Sequence, residues 1–282
     1  CGPRFLNGWG NFRLSPVWLC GKGGGPMTEP TRKITAEAIR AMKGQAPVAA
    51  LTVYDYAMAK LVDRCRVPLM LVGDSLGMVV LGLPDTTGVT MEDMLHHTRA
   101  AARAEPQALL AADLPADSYG TPDRAVANAR RLVDAGAGAV KAEGGLVIGE
   151  QVRAIVGAGI PFLGHLGMLP QQVKREGGYK IKGRQADEAT ALRDDANALV
   201  DAGAFAIVLE LVEPAVAAEL TAALPVPTIG IGSGPDCDGQ ILVTTDLWAT
   251  SPDYIPKHVQ PNEAVRGEME RAIADWKKGM SN

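Results

Sequence analysis

The sequence predicts an α/β protein, an eight-stranded (β/α)8 barrel, on three observations. Eight short apolar runs alternate along the chain with stretches of helical periodicity. Several of these runs open at or just after glycine or proline, as buried strands of a parallel sheet do. The string Asp-Ala-Gly-Ala recurs at 134–137 and 201–204, each time stopping a helix just ahead of an apolar run. Eight such units in roughly 200 residues fit a closed barrel better than a doubly wound open sheet. Periodicity alone leaves the open sheet as an alternative.

The expected strands are 48–53, 69–72, 109–112, 139–141, 161–163, 206–209, 228–231 and 241–243. The expected helices are 56–64, 90–104, 122–135, 148–156, 186–202 and 214–224. The third has Thr121 as its cap, Pro122 at its first position and Gly136 at its end. The connection 167–185 is long and rich in Gly, Lys and Arg. Such a segment reads either as a lid or substrate clamp at the barrel mouth or as a solvated surface loop. Beyond residue 243 come Pro252, Pro256 and Pro261, then a helix over 263–278. It is expected to pack on the barrel exterior or on a neighbouring subunit.

The 282 residues are 47% hydrophobic and 21% charged, an ordinary globular balance for one large barrel. The formal net charge of -4 gives no reason to expect a nucleic-acid partner. No apolar run is long enough to cross a bilayer. Cys1, Cys20, Cys65 and Cys237 form neither a metal spacing nor a compact disulfide framework, so a reducing cytoplasm is expected. Residues 1–26 differ in character: they hold Arg4, Arg13 and Lys22, no acid, and glycines at 23–25. Lys22-Gly23-Gly24 can be encoded by a purine-rich string like a ribosome-binding site, and Met27 opens an ordinary polar start. The expectation is a non-native or disordered extension over 1–26, and one barrel domain with a C-terminal tail helix over 27–282.

Four apolar runs lead into carboxylates: Asp74, Asp113, Glu143 (through Lys141-Ala142) and Glu210. Each has an ordinary explanation by itself. Asp74 or Ser75 reads as a helix cap, Asp113 as a turn acid before Leu114-Pro115, and Lys141 with Glu143 as an ion pair on one strand face. Together they differ. In a barrel the C-terminal strand ends share one mouth, where these carboxylates repel one another and need balancing charge. Lys141 supplies one positive charge, and a divalent cation with oxygen ligands, Mg²⁺, supplies two more. The four histidines, His96, His97, His165 and His258, have no zinc or iron spacing. His165 ends the fifth run and reads as a substrate donor or a structural histidine. Gly230-Ile231-Gly232-Ser233-Gly234 reads as a backbone phosphate cradle or a tight strand-to-loop turn.

From about residue 34 to 257 the sequence resembles the ketopantoate hydroxymethyltransferase (3-methyl-2-oxobutanoate hydroxymethyltransferase) family. The resemblance lies in Thr52-Val53-Tyr54-Asp55-Tyr56, Val72-Gly73-Asp74-Ser75-Leu76-Gly77-Met78, Ala112-Asp113-Leu114-Pro115 and Val140-Lys141-Ala142-Glu143-Gly144-Gly145. It continues in Gly164-His165-Leu166-Gly167, Gly177-Gly178-Tyr179-Lys180, Leu209-Glu210 and Asp238-Gly239-Gln240-Ile241-Leu242-Val243. Segments 234–237 and 244–249 depart from the usual family wording, as does Met168-Leu169-Pro170. None of these touches the acidic positions.

The resemblance implies a TIM barrel and assigns Asp74, Asp113 and Glu143 to Mg²⁺. It assigns Asp74, Ser75, Asp113 and Lys141 to the 2-oxo acid, and Glu210 to the role of proton acceptor. It also implies 5,10-methylenetetrahydrofolate as one-carbon donor, a Mg²⁺-stabilised enolate on the way to 2-dehydropantoate in pantothenate biosynthesis, and a homo-oligomer, typically a homodecamer. A lyase of the isocitrate lyase type would carry Lys-Cys-Gly-His where Lys141-Ala142-Glu143-Gly144 stands. A non-catalytic barrel would have lost pocket carboxylates.

Overall fold

The computed structural model describes residues 33–252 and 254–280. The extension expected over 1–26 lies outside the described residues. Eight parallel strands close into a barrel in sequence order: β1 (Val48–Thr52), β2 (Leu69–Val72), β3 (Leu109–Asp113), β4 (Ala139–Glu143), β5 (Phe162–Gly167), β6 (Ala206–Glu210), β7 (Thr228–Ile231) and β8 (Gly239–Leu242). β8 returns to pair with β1, which removes the open-sheet alternative. The main helices are α1 (Tyr56–Arg64), α2 (Met91–Ala102), α3 (Pro122–Asp134), α4 (Gly149–Gly157), α5 (Ala186–Asp201), α6 (Pro214–Ala223) and α7 (Glu263–Gly279). No helix among the described residues is long and apolar enough to cross a membrane.

Strand alternation sorts the side chains. Met70, Val72, Leu110, Ala112, Val140, Phe162, Ile207 and Leu209 point outward into the layer beneath the helices. Val48, Leu69, Leu71, Leu109, Ala111, Ala139, Leu163, Ala206, Val208 and Ile229 fill the barrel. A short helix, Ala36–Arg40, closes the N-terminal end by burying Ala36 and Ile39 against this inner set. Its one-turn length leaves too little periodicity to read from sequence.

Three strands run past their apolar residues to include the acids expected after them. β3 ends at Asp113, β4 at Glu143 and β6 at Glu210. Their closing residues pair with neighbours on the barrel wall, in the registers Asp113↔Lys141, Glu143↔His165 and Glu210↔Ile231. β5 likewise continues to Gly167, beyond the expected 161–163. Backbone pairing, not hydrophobicity, decides where these strands stop. No helix intervenes between β7 and β8: residues 232–238 alone carry the chain back to the start of the next strand.

Candidate active site

The same alternation that packs the barrel builds the site. On β3, Leu109 and Ala111 point inward and Asp113 follows. On β4 the inward residues are Ala139, Lys141 and Glu143. On β5 they are Leu163 and His165, and on β6 Ala206, Val208 and Glu210. The lower layers are apolar and the uppermost layer is ionisable. Asp74 joins it from just beyond β2. The ionisable side chains Asp74, Asp113, Lys141, Glu143, His165 and Glu210 line one cavity of about 410 Å³ with Ser75. The residues expected to converge are therefore brought together.

Their partners are specific. Lys141 Nζ donates to Asp113 Oδ1 at 2.6 Å, and the backbone N–H of Asp74 donates to Asp113 Oδ2 at 3.1 Å. The expected pairing of Lys141 with Glu143 on one strand is replaced by this bridge to the adjacent strand. Ser75 occupies the cap position of a short helix, Leu76–Val79, but makes no side-chain cap bond. Its hydroxyl lies 2.9 Å from the Tyr54 hydroxyl instead. The helix-cap reading of Ser75 is thus corrected, because a buried tyrosine competes for the oxygen.

Gln171, which the sequence reading did not single out, ties the acids together. Its Nε2 donates to Asp74 Oδ2 at 2.8 Å and its backbone N–H to Glu143 Oε2 at 3.1 Å. Tyr119 donates to Gln171 Oε1 at 2.6 Å. Gln171 belongs to the long connection after β5, which settles that segment's position. Pro170 and Tyr179 line the cavity, Lys174 Nζ donates to Thr87 at 2.7 Å, and Lys182 pairs with Glu176. The segment lies over the barrel mouth. Nothing in its own composition marked Gln171; only the reach of the loop into the acid layer does.

His165 sits between two of the acids. Its Nε2 is 3.2 Å from Glu210 Oε2 and its Nδ1 is 3.7 Å from Glu143 Oε1, neither aligned as a hydrogen bond. Burial, with the Lys141 charge, holds its pKa well below the usual value, so the ring is neutral. Gly167 sets the height of Glu210. With φ +94, a Cβ there would fall 2.2 Å from the Glu210 carbonyl oxygen, which accepts from Met168 N–H at 2.7 Å.

The electrostatics follow from burying like charges together. Burial, then the Asp113 charge, raises Asp74 to about 7. Burial and the Asp74 charge push Glu143 well above the usual carboxylate range. Burial raises Glu210 to about 7, against the pull of Lys141 and His258. Burial opposes the charge on Lys141, but the carboxylates of Asp113, Asp74 and Glu143 raise its pKa overall. Among the described residues no three His, Cys, Asp or Glu side chains close a coordination shell by themselves. The donor set nevertheless suits a hard divalent cation, which takes one or two carboxylates and completes its shell with water and substrate oxygens. The Gly230–Gly234 string serves the turn: Ser233 Oγ donates to Leu209 O at 2.7 Å and accepts from Val212 N–H at 2.9 Å.

The family model described as ketopantoate hydroxymethyltransferase matches residues 33–282. A relative from Moorella thermoacetica, named 3-methyl-2-oxobutanoate hydroxymethyltransferase, is 52% identical over 232 residues, covering 81% of this chain and 86% of that protein. One of the same name from Pyrobaculum islandicum is 49% identical over 242 residues, covering 84% of this chain and 93% of that protein. Among solved structures, phosphoenolpyruvate phosphomutase from Streptomyces platensis subsp. rosaceus superposes with a TM-score of 0.61 at 16% identity. It covers 86% of this chain and 88% of that one, a likeness of fold alone. Over residues 33–282 the chain belongs to the ketopantoate hydroxymethyltransferase family, and it is an enzyme of hydroxymethyl transfer.

Proposed function

We propose that the protein transfers the one-carbon unit of 5,10-methylenetetrahydrofolate to C3 of 3-methyl-2-oxobutanoate, giving 2-dehydropantoate for pantothenate biosynthesis. The observation that carries this reading is a carboxyl raised to about 7, Glu210, facing the buried Asp74–Asp113–Lys141–Glu143 cluster across one cavity.

Asp74, Asp113 and Glu143 would hold Mg²⁺. Bound there, the ion supplies positive charge that draws electron density from a 2-oxo acid and favours its enolate. Lys141, oriented by Asp113, offers its remaining N–H donors to a substrate oxygen. Ser75 offers its hydroxyl, which Tyr54 orients. Glu210 takes the C3 proton, and a base with a pKa near neutrality suits that task. Neutral His165 lies against Glu210 without competing for the proton. C3 then bonds to the folate methylene carbon, tetrahydrofolate departs, and water supplies the hydroxyl oxygen.

The test is deuterium exchange at C3 of 3-methyl-2-oxobutanoate in heavy water. Glu210→Gln is expected to abolish exchange while leaving Mg²⁺ binding largely intact; undiminished exchange would put the base elsewhere. A coupled assay with the oxo acid and the folate, with and without Mg²⁺, tests the complete reaction. Assembly as a homodecamer belongs to the same reading. α7 supports it by exposing Met269, Ile273 and Trp276 at helical spacing, with Met280 exposed at its C-cap. The cytoplasm is the compartment this reading expects, in keeping with the free thiols of Cys65 and Cys237.

A further inference from the structure

Glu210 closes β6, between β5, which carries His165, and β7, which ends at Ile231. From the β5 side, His165 Nε2 approaches Glu210 Oε2 at 3.2 Å. The β7 side is built differently. The register partner of Glu210 there is Ile231, which has no polar side-chain atom, and the glycines at 230 and 232 flank it. That side of the cavity is lined instead by the segment after β8, including Pro256, Lys257 and His258.

The His258 ring rests against Gly232. A Cβ on Gly232 would come within 2.9 Å of His258 Nδ1 and 3.1 Å of its Cγ, so the bare glycine makes the room in which the imidazole sits. The other ring nitrogen, Nε2, is shut off from solvent and has no hydrogen-bond partner. A buried polar atom left unpaired calls for an explanation. Glu210 lines the same cavity as His258, and each of the two groups shifts the other's proton affinity, although no ion pair joins them. Burial holds the His258 pKa below the usual value, which leaves a neutral ring with one N–H to donate.

We propose that His258 is a positioning residue for Glu210. Through Nε2 it holds the carboxylate from the β7 side, as His165 flanks it from the β5 side, when the 2-oxo acid fills the cavity. Fixed between two imidazoles, the carboxylate has one orientation toward C3 rather than several. The proposal rests on the reading of Glu210 as proton acceptor.

The experiment is C3 deuterium exchange by the full chain with Mg²⁺ and 3-methyl-2-oxobutanoate, comparing His258→Phe, His258→Gln, His258→Asn and Glu210→Gln. Phenylalanine keeps the ring and removes both nitrogens. Glutamine brings an amide N–H near the place of Nε2, whereas asparagine reaches only that of Nδ1. His258→Phe is expected to lower the maximal exchange rate about 10- to 100-fold, with KM for the oxo acid within about twofold of wild type. His258→Gln should recover most of the rate and His258→Asn should not. Wild-type exchange in His258→Phe, a change confined to KM, or equal rates in the Gln and Asn variants would overturn the proposal. Should the Phe variant fail to fold, the Gln–Asn comparison decides. Exchange that survives Glu210→Gln refutes the base itself. Exchange lost in Glu210→Gln but intact in His258→Phe refutes only the positioning role.

Discussion

Lys141 and Asp113 are register partners on β4 and β3, and their side chains meet across that seam at 2.6 Å. Both are almost wholly buried, with residue exposures of 4% and 2%. A buried pair is costly to break from one side, because the surviving charge loses both its partner and its water. Lys141→Met is therefore expected to destabilise the fold by about 3–5 kcal/mol, measured by urea unfolding, and to abolish turnover. Pairing it with Asp113→Asn should restore much of the stability and none of the activity. A single variant as stable as wild type would show that water reaches the pair.

Gln171 holds two of the three acids assigned to the metal, one through its side chain and one through its backbone. Gln171→Ala removes the side-chain bonds to Asp74 and to Leu114 O and keeps the backbone bond to Glu143, and Tyr119 is left with its longer bond to Glu143 O. Apparent Mg²⁺ affinity is expected to fall roughly 10- to 100-fold, as for other groups that orient metal-binding carboxylates. Titration of Mg²⁺ against the exchange rate measures this. Unchanged affinity would leave Gln171 with a packing role only.

With Glu210 raised to about 7, the fraction of ionised base grows as pH rises through neutrality. The exchange rate at saturating substrate should climb tenfold per pH unit below that midpoint and level off above it. A midpoint near the ordinary carboxylate value of 4.5 would mean that the buried environment is relieved when substrate binds.

Stability should move the other way. Between 4.5 and about 7 the folded protein keeps the Glu210 proton that the unfolded chain has released. The folded state then binds more protons, so stability falls as pH rises across this window. In chelator-treated protein, Glu210→Gln is expected to raise the thermal midpoint at pH 8 and to leave it unchanged at pH 4, where both forms are neutral. An equal shift at both pH values would assign the effect to packing rather than charge.

Much of the fold was legible in the chain. The helix expected over 56–64 is α1 itself, and the cap, proline and glycine around 121–136 frame α3 as expected. The reason is local: capping side chains, φ restriction at proline and helical spacing of apolar residues act within a few positions of one another. Strand ends were less legible. The expected strands stop at Ala112, Lys141 and Leu209, yet β3, β4 and β6 run on to Asp113, Glu143 and Glu210, since pairing with the neighbouring strand is a property of two segments.

By itself the sequence determined the eight alternating strand–helix units, the strands that bear acids and the family motifs. It did so because alternation along a strand and the spacing of breakers are written in consecutive residues. Only the tertiary structure decided which groups touch. It set Lys141 against Asp113 rather than Glu143, brought Gln171 down from a distant loop onto Asp74, and laid His258 against the bare Gly232 in the cavity that Glu210 lines. Those relationships join segments far apart in the chain, and closure of the barrel is what brings their ends to a common mouth.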